Sequence, residues 1–222
     1  QSVMLPVLSS QQDNRPRVKV MMRRAIVTSS FIVFPMMVGL AVTSEPLVKL
    51  LLGDKWLPCV PFLQIFCAIY ALWPIHVANL QAIKALGRSD IFLKLEIIKK
   101  AYGLAVLGIT VFYGIYAIAL GGIVTGLISS VVNAYPNKKL LDYSYKEQWL
   151  DIMPSLLLSL VMGAVVYSFK WLGLSAISTL LIQVCVGAVL YTGMAWVIKL
   201  ECFSYLLSTA KDIFARGNGE TV

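Results

Sequence analysis

The length of the uncharged apolar runs most limits what this chain can fold into. Residues 25–43, 60–83, 95–135, 152–170 and 175–198 are almost continuously apolar, and charged residues gather between them. A helix of about 20 residues, rising 1.5 Å per residue, crosses the ~30 Å hydrocarbon core of a bilayer. The runs lack the polar face that a helix on a soluble core keeps. They also lack the alternation of a transmembrane barrel strand. Composition agrees: 59% of the 222 residues are hydrophobic and 14% are charged, whereas a soluble domain carries about a quarter charged residues. The expected fold class is all-α, a polytopic transmembrane helical bundle.

Residues 95–135 are too long for one span, since a single helix would reach roughly 60 Å. Two spans joined by a tight turn near Tyr113-Gly114 fit better, which gives about six spans in all. The net charge of +8 follows the same plan, because 16 of the 19 Lys and Arg residues fall at alternate ends of the runs. These are the segment before residue 25, the stretch 79–100, the loop after residue 135 and the tail after residue 198. Basic residues mark the cytoplasmic side. Each apolar stretch between basic clusters therefore holds an even number of spans. The expected topology is three hairpins with both chain ends cytoplasmic and outer connections at Trp56, Gly114 and Trp171. Topology accounts for the positive charge, so no nucleic-acid partner is expected.

Several local readings follow. Residues 1–24 comprise the end of a truncated helix and a basic cytoplasmic segment, with Val18, Met21 and Met22 facing lipid. With no initial methionine and no signal peptide, the chain reads as the C-terminal part of a longer protein. Pro35 is expected to kink the first span and Glu45-Pro46 to end it, leaving 47–52 as a short separate piece. Gly53-Asp54-Lys55-Trp56 reads as an interfacial turn. Residues 136–151 read as a cytoplasmic loop, and 199–222 as a cytoplasmic tail with a disordered end.

Candidate site residues are the polar groups within or beside the spans. His76 and Asn79 are three residues apart and share a helix face. His76 is either a proton-responsive or sugar-contacting cavity group, or a helix-packing residue. Gln64, Asn79, Gln81, Asn133 and Gln183 have the same two roles open, binding sugar hydroxyls or tying helices together. Lys84, Arg23, Arg24 and Arg88 lie at the cytoplasmic mouth. There they attract a pyrophosphate headgroup or anchor the chain beside anionic lipid. Lys84 is nearest the helix of His76. No Asp or Glu sits mid-span, which argues against ion coupling through this part of the protein. Gly122 and Gly126 form a GxxxG pair suited to close helix packing. The four cysteines show neither CxxC nor metal-ligand spacing, and no Ser-His-Asp set, paired carboxylates or P-loop is present. No metal, cofactor or enzymatic activity is expected.

Four pieces occur in order: LPVLSSQQDNRPRVK, FPMMVGLAVTSEPLVKLLLGDKW, PCVPFLQIF and ALGRSDIFLKLEIIKK. Together they resemble the C-terminal part of bacterial polysaccharide exporters of the Wzx type. These belong to the multidrug/oligosaccharidyl-lipid/polysaccharide flippase superfamily, which also holds the MATE antiporters. The resemblance covers roughly residues 5–149; the last two spans match only in hydropathy. It implies a two-lobe transporter in which residues 25–135 supply four helices of the second lobe and 152–198 an added C-terminal pair. It also implies an inner-membrane location, an N-terminal lobe as partner, and an undecaprenyl-pyrophosphate-linked oligosaccharide as substrate, moved by alternating access. A MATE-type cation-coupled antiporter is the alternative, and a membrane-embedded glycosyl- or acyltransferase a more distant one.

Overall fold

The computed structural model describes residues 4–172, 175–200 and 202–208. Among them every regular element is helical. The order is α1 (Met4–Ser9), α2 (Arg15–Leu52), α3 (Val60–Ala71), α4 (Trp73–Ala85), α5 (Ser89–Thr110), α6 (Ile115–Leu141), α7 (Tyr145–Ser168) and α8 (Ala176–Val197). Short 3-10 turns at Asp54–Cys59, Val111–Tyr113 and Phe169–Leu172 sit at one end of the bundle. The basic clusters sit at the other, called here the basic end.

The 38-residue α2 is the spine. It packs against α3, α4, α7 and α8. Near the basic end, Val18, Met22 and Ile26 meet Ile75, Ala78 and Ala82 of α4 and Ile152 of α7, with Leu8 of α1 beside them. Nearer its middle, Phe31 packs with Leu158, Met162 and Val166 of α7 and Tyr191 of α8. The Tyr191 hydroxyl donates to the Phe31 carbonyl oxygen at 2.8 Å. Large apolar side chains such as Leu104, Ile109, Leu181 and Val189 remain on the outside. Lipid, not water, is the solvent for that surface.

Five helical stretches are long and apolar enough to cross a membrane, at Arg15–Leu52, Asp54–Ala85, Ile115–Leu141, Tyr145–Trp171 and Ala176–Val197. The protein is a multi-pass membrane protein. The expectation was about six spans. The remaining helix, α5, has the length, at 22 residues. It fails on composition, because Asp90, Lys94, Glu96, Lys99 and Lys100 crowd its first half.

Three boundaries differ from expectation, all at prolines. Pro46 does not end the first span; it lies inside α2, which runs on through the supposed separate piece to Leu52. Pro136 likewise lies inside α6, and α7 begins at Tyr145, so only residues 142–144 of the expected loop are non-helical. In a membrane bundle, neighbouring groups can re-satisfy the carbonyl that a proline frees. Pro74 does interrupt a helix: α3 and α4 are separate, with Leu72 between them and Pro74 in the first turn of α4. A fourth difference concerns facing. Val18 and Met22 are fully buried, because the basic segment is the start of α2 and turns these residues into the core.

The tight turn near Tyr113-Gly114 is present. Gly114 has φ 90 and ψ 179 at the N-cap of α6, a conformation confined largely to glycine. Gly114→Ala is expected to lower stability by about 1 kcal/mol or more, read as an earlier unfolding midpoint in detergent. Asp142 takes a left-handed conformation as the C-cap of α6, and Ser144 and Glu147 form a capping box that starts α7. The expectations for residues 1–3, Gly173 and the disordered end at 216–222 lie outside the described residues.

Candidate functional site

A groove of about 610 Å³ opens among α3, α4, α5 and α6. Its floor is one face of α4. Trp73, Val77, Gln81 and Lys84 follow at helical spacing, so they form one stripe. His76 stands beside the stripe, and its ring Nδ1 lies 3.1 Å from the Asn133 amide nitrogen on α6. With that nitrogen donating, Nδ1 is the acceptor. The second wall is α6, where Gly122, Thr125, Gly126, Ser129 and Asn133 face inward. The GxxxG pair has a use here. A Cβ on Gly122 would lie 2.9 Å from Ile69 Cδ1 and one on Gly126 3.9 Å from Ile69 Cγ2, so the small residues admit α3.

The third wall is α5. Glu96 accepts from Lys99 at 2.5 Å, and the Tyr102 hydroxyl meets that of Ser129 at 2.5 Å. Lys84 sits over the Phe92 ring at 4.1 Å, at the basic end. Tyr70 and Trp73 stand with ring centroids 5.9 Å apart at the other end. The groove thus combines aromatic faces, amides, hydroxyls and two lysines, within a bundle whose outer surface is largely apolar. It also holds Glu96, one carboxylate inside a helix, although Lys99 already engages it.

The candidate residues divide among different places. His76 and Lys84 line the groove together. Asn79 does not. It is fully buried and ties three helices. Its amide nitrogen donates to Gln148 Oε1 of α7 at 2.7 Å, and its Oδ1 accepts from Gln148 Nε2 at 3.1 Å and from Asn137 Nδ2 of α6 at 2.7 Å. Gln64 is also elsewhere: its amide donates to the Ala41 carbonyl and the Ser44 hydroxyl of α2, each at 3.2 Å.

The three arginines are all partly engaged. Arg23 donates to Asp151 at 2.5 Å, and Tyr143 donates to the other oxygen of the same carboxylate at 2.7 Å. Arg24 lies over the Tyr205 ring at 5.6 Å. Arg88 grips Asp90 through two bonds of 2.9 Å. Those bonds hold the Asp90 carboxyl at about 2, so the pair stays ionised across the neutral range. Both partners are exposed, so the pair adds little to stability.

Sequence reasoning did not single out Gln148, Asn137 or Trp73. Gln148 and Asn137 had been placed in a loop. Trp73 carried a usable signal, its helical spacing to Gln81 and Lys84. Among the described residues, no group of three or more His, Cys, Asp and Glu side chains could hold a metal.

Comparison with known proteins bears on this arrangement. Residues 1–61 match a family described as polysaccharide biosynthesis protein. The chain is 25% identical over 173 residues to the lipopolysaccharide biosynthesis protein WzxC of Escherichia coli K12, covering 74% of this chain and 35% of that protein. It is 26% identical over 168 residues to an uncharacterized membrane protein in the cps region of Klebsiella pneumoniae, covering 72% of this chain and 35% of the relative. It is 26% identical over 145 residues to the teichuronic acid biosynthesis protein TuaB of Bacillus subtilis, covering 60% of this chain and 28% of the relative. The chain spans about a third of the length of these curated relatives. No solved structure matches it. The resemblance to Wzx-type polysaccharide exporters is therefore supported by a family match and by three relatives.

Proposed function

We propose that this chain is the C-terminal part of a bacterial inner-membrane flippase for an undecaprenyl-pyrophosphate-linked oligosaccharide. The missing N-terminal lobe completes the path. The observation that carries the reading is the polar groove along α4, in a bundle whose outer surface is largely apolar. A sugar headgroup cannot cross hydrocarbon unaided, because each unsatisfied polar group costs several kcal/mol. A groove of amides, hydroxyls and aromatic faces offers replacement contacts, while the polyprenyl tail stays in lipid. The names of the relatives point to polysaccharide biosynthesis. Alternating access between two lobes fits a site at a helix interface, with the basic end of the bundle cytoplasmic.

The antiporter alternative needs a groove that welcomes cations. Here Lys84 and Lys99 face a single carboxylate, Glu96, which Lys99 already holds.

Deletion of the whole gene tests the reading in cells. Lipid-linked oligosaccharide is expected to build up on the cytoplasmic face, with loss of the matching surface polysaccharide. Unchanged surface polysaccharide with no such build-up would reject it.

A further inference from the structure

The stripe on α4 is not uniform along its length. Trp73 lies at one end, beside Tyr70. Gln81 lies further along, with Asn133 of α6 across the groove. Lys84 lies at the basic end. From Trp73 to Lys84 is about 16 Å along the helix axis.

Each portion suits a different chemistry. An aromatic ring offers a flat apolar face, which packs on the C–H face of a sugar ring. The Gln81 Oε1 and Asn133 Oδ1 are buried acceptors with no donor among the described residues. An acceptor without a donor is costly in a membrane interior, and a sugar hydroxyl supplies the donor that is lacking. Asn133 is 1% exposed, and its amide nitrogen is already turned toward His76, so its carbonyl oxygen is the part left to serve. His76 acts as a positioning residue for that amide. Lys84 differs from Lys99. The latter is ion-paired with Glu96 at 2.5 Å, whereas Lys84 touches the Phe92 ring and makes no ion pair with another described residue. Its charge remains available for an anionic oxygen.

We infer that the α4 stripe divides the headgroup, with Lys84 taking the phosphate and Trp73, Gln81 and Asn133 taking the sugar. The ligand then lies along α4 with its phosphate at the basic end. This assignment rests on the flippase reading and adds to it the direction of binding and the residues that separate phosphate from sugar.

Binding to the whole protein in liposomes tests the division with two probes, undecaprenyl pyrophosphate and undecaprenyl pyrophosphate bearing a short neutral oligosaccharide. Lys84→Gln is expected to weaken both probes by about tenfold, the scale of a lost charged hydrogen bond. Trp73→Leu and Gln81→Met are expected to weaken only the glycosylated probe, also by about tenfold. Trp73→Phe keeps a ring and is expected to restore most of the difference between the probes, which separates recognition from misfolding. Equal weakening of both probes by Gln81→Met, or no effect of Lys84→Gln, would overturn the division while leaving the flippase reading intact. A wild-type protein that binds neither probe would overturn both.

Discussion

Asn79→Leu is expected to destabilise the bundle by about 3 kcal/mol, the largest effect of any single side chain considered. The reason is the number of groups it orphans. Asn79 exchanges two hydrogen bonds with Gln148 and accepts from Asn137 through both its side-chain oxygen and its backbone carbonyl, the latter at 3.2 Å. All three side chains are fully buried. Removing one amide leaves the polar atoms of the other two facing an apolar site with no water. Replacing a whole polar network by apolar groups can be close to neutral. The triple replacement of Asn79, Asn137 and Gln148 by Leu is therefore expected to cost less than Asn79→Leu alone. Unfolding in detergent measures both. Additive costs across the three positions would show that the residues do not act as a unit.

The second large effect is expected at Gly163 of α7. A Cβ placed there would lie 2.5 Å from Val38 Cγ1 of α2, well inside contact distance. Valine in a helix has essentially one side-chain rotamer, so Val38 cannot swing away and the helices must part. Gly163→Ala is expected to cost about 2 kcal/mol. Val38→Ala in the same protein is expected to recover most of it, a coupling that two independent sites would not show. The interface matters because α2 and α7 are also joined near both ends. Arg23 pairs with Asp151 at 2.5 Å, and Glu45 pairs with Lys170, just past α7, at 2.6 Å. If Val38→Ala recovers nothing, the clash at Gly163 is not the source of the loss.

Much of the fold was legible in the sequence because it depends on quantities a sequence carries directly. Run length marked the five stretches long and apolar enough to cross a membrane, though it counted α5 as a sixth, and the excess length of 95–135 placed the turn at Gly114. The charged stretch at 79–100 was recognisable as an elbow, and the chain does turn at Gly87, which has φ 70. Proline was the weaker guide. Pro46 and Pro136 fall inside helices, while Pro74 sits at a break. A local rule about one lost hydrogen bond cannot tell which neighbours will replace it.

The site was legible in kind but not in arrangement. His76 and Lys84 were chosen from position alone, and both line the groove. Asn79 was chosen for sharing a face with His76, yet one step around the helix turns it from the groove to a knot with Gln148, 69 residues away. Arg23 reads in the sequence as a headgroup or lipid anchor, and its partner Asp151 lies 128 residues on. Partners at such separations leave no local trace. Val18 and Met22 failed for a related reason: an apolar residue beside arginines suits lipid and core equally, and only the packing of α2 on α4 and α7 decides between them.

The most direct test of the central proposal is translocation by the purified whole protein in liposomes. Undecaprenyl-pyrophosphate-linked oligosaccharide is placed in both leaflets, and its exposure to an external glycosidase that cannot enter the liposome is followed over time. The account predicts that cleavage runs past the outer-leaflet fraction toward completion when the protein is present, and stops at that fraction in protein-free liposomes. Cleavage that stops at the outer-leaflet fraction in both would contradict it.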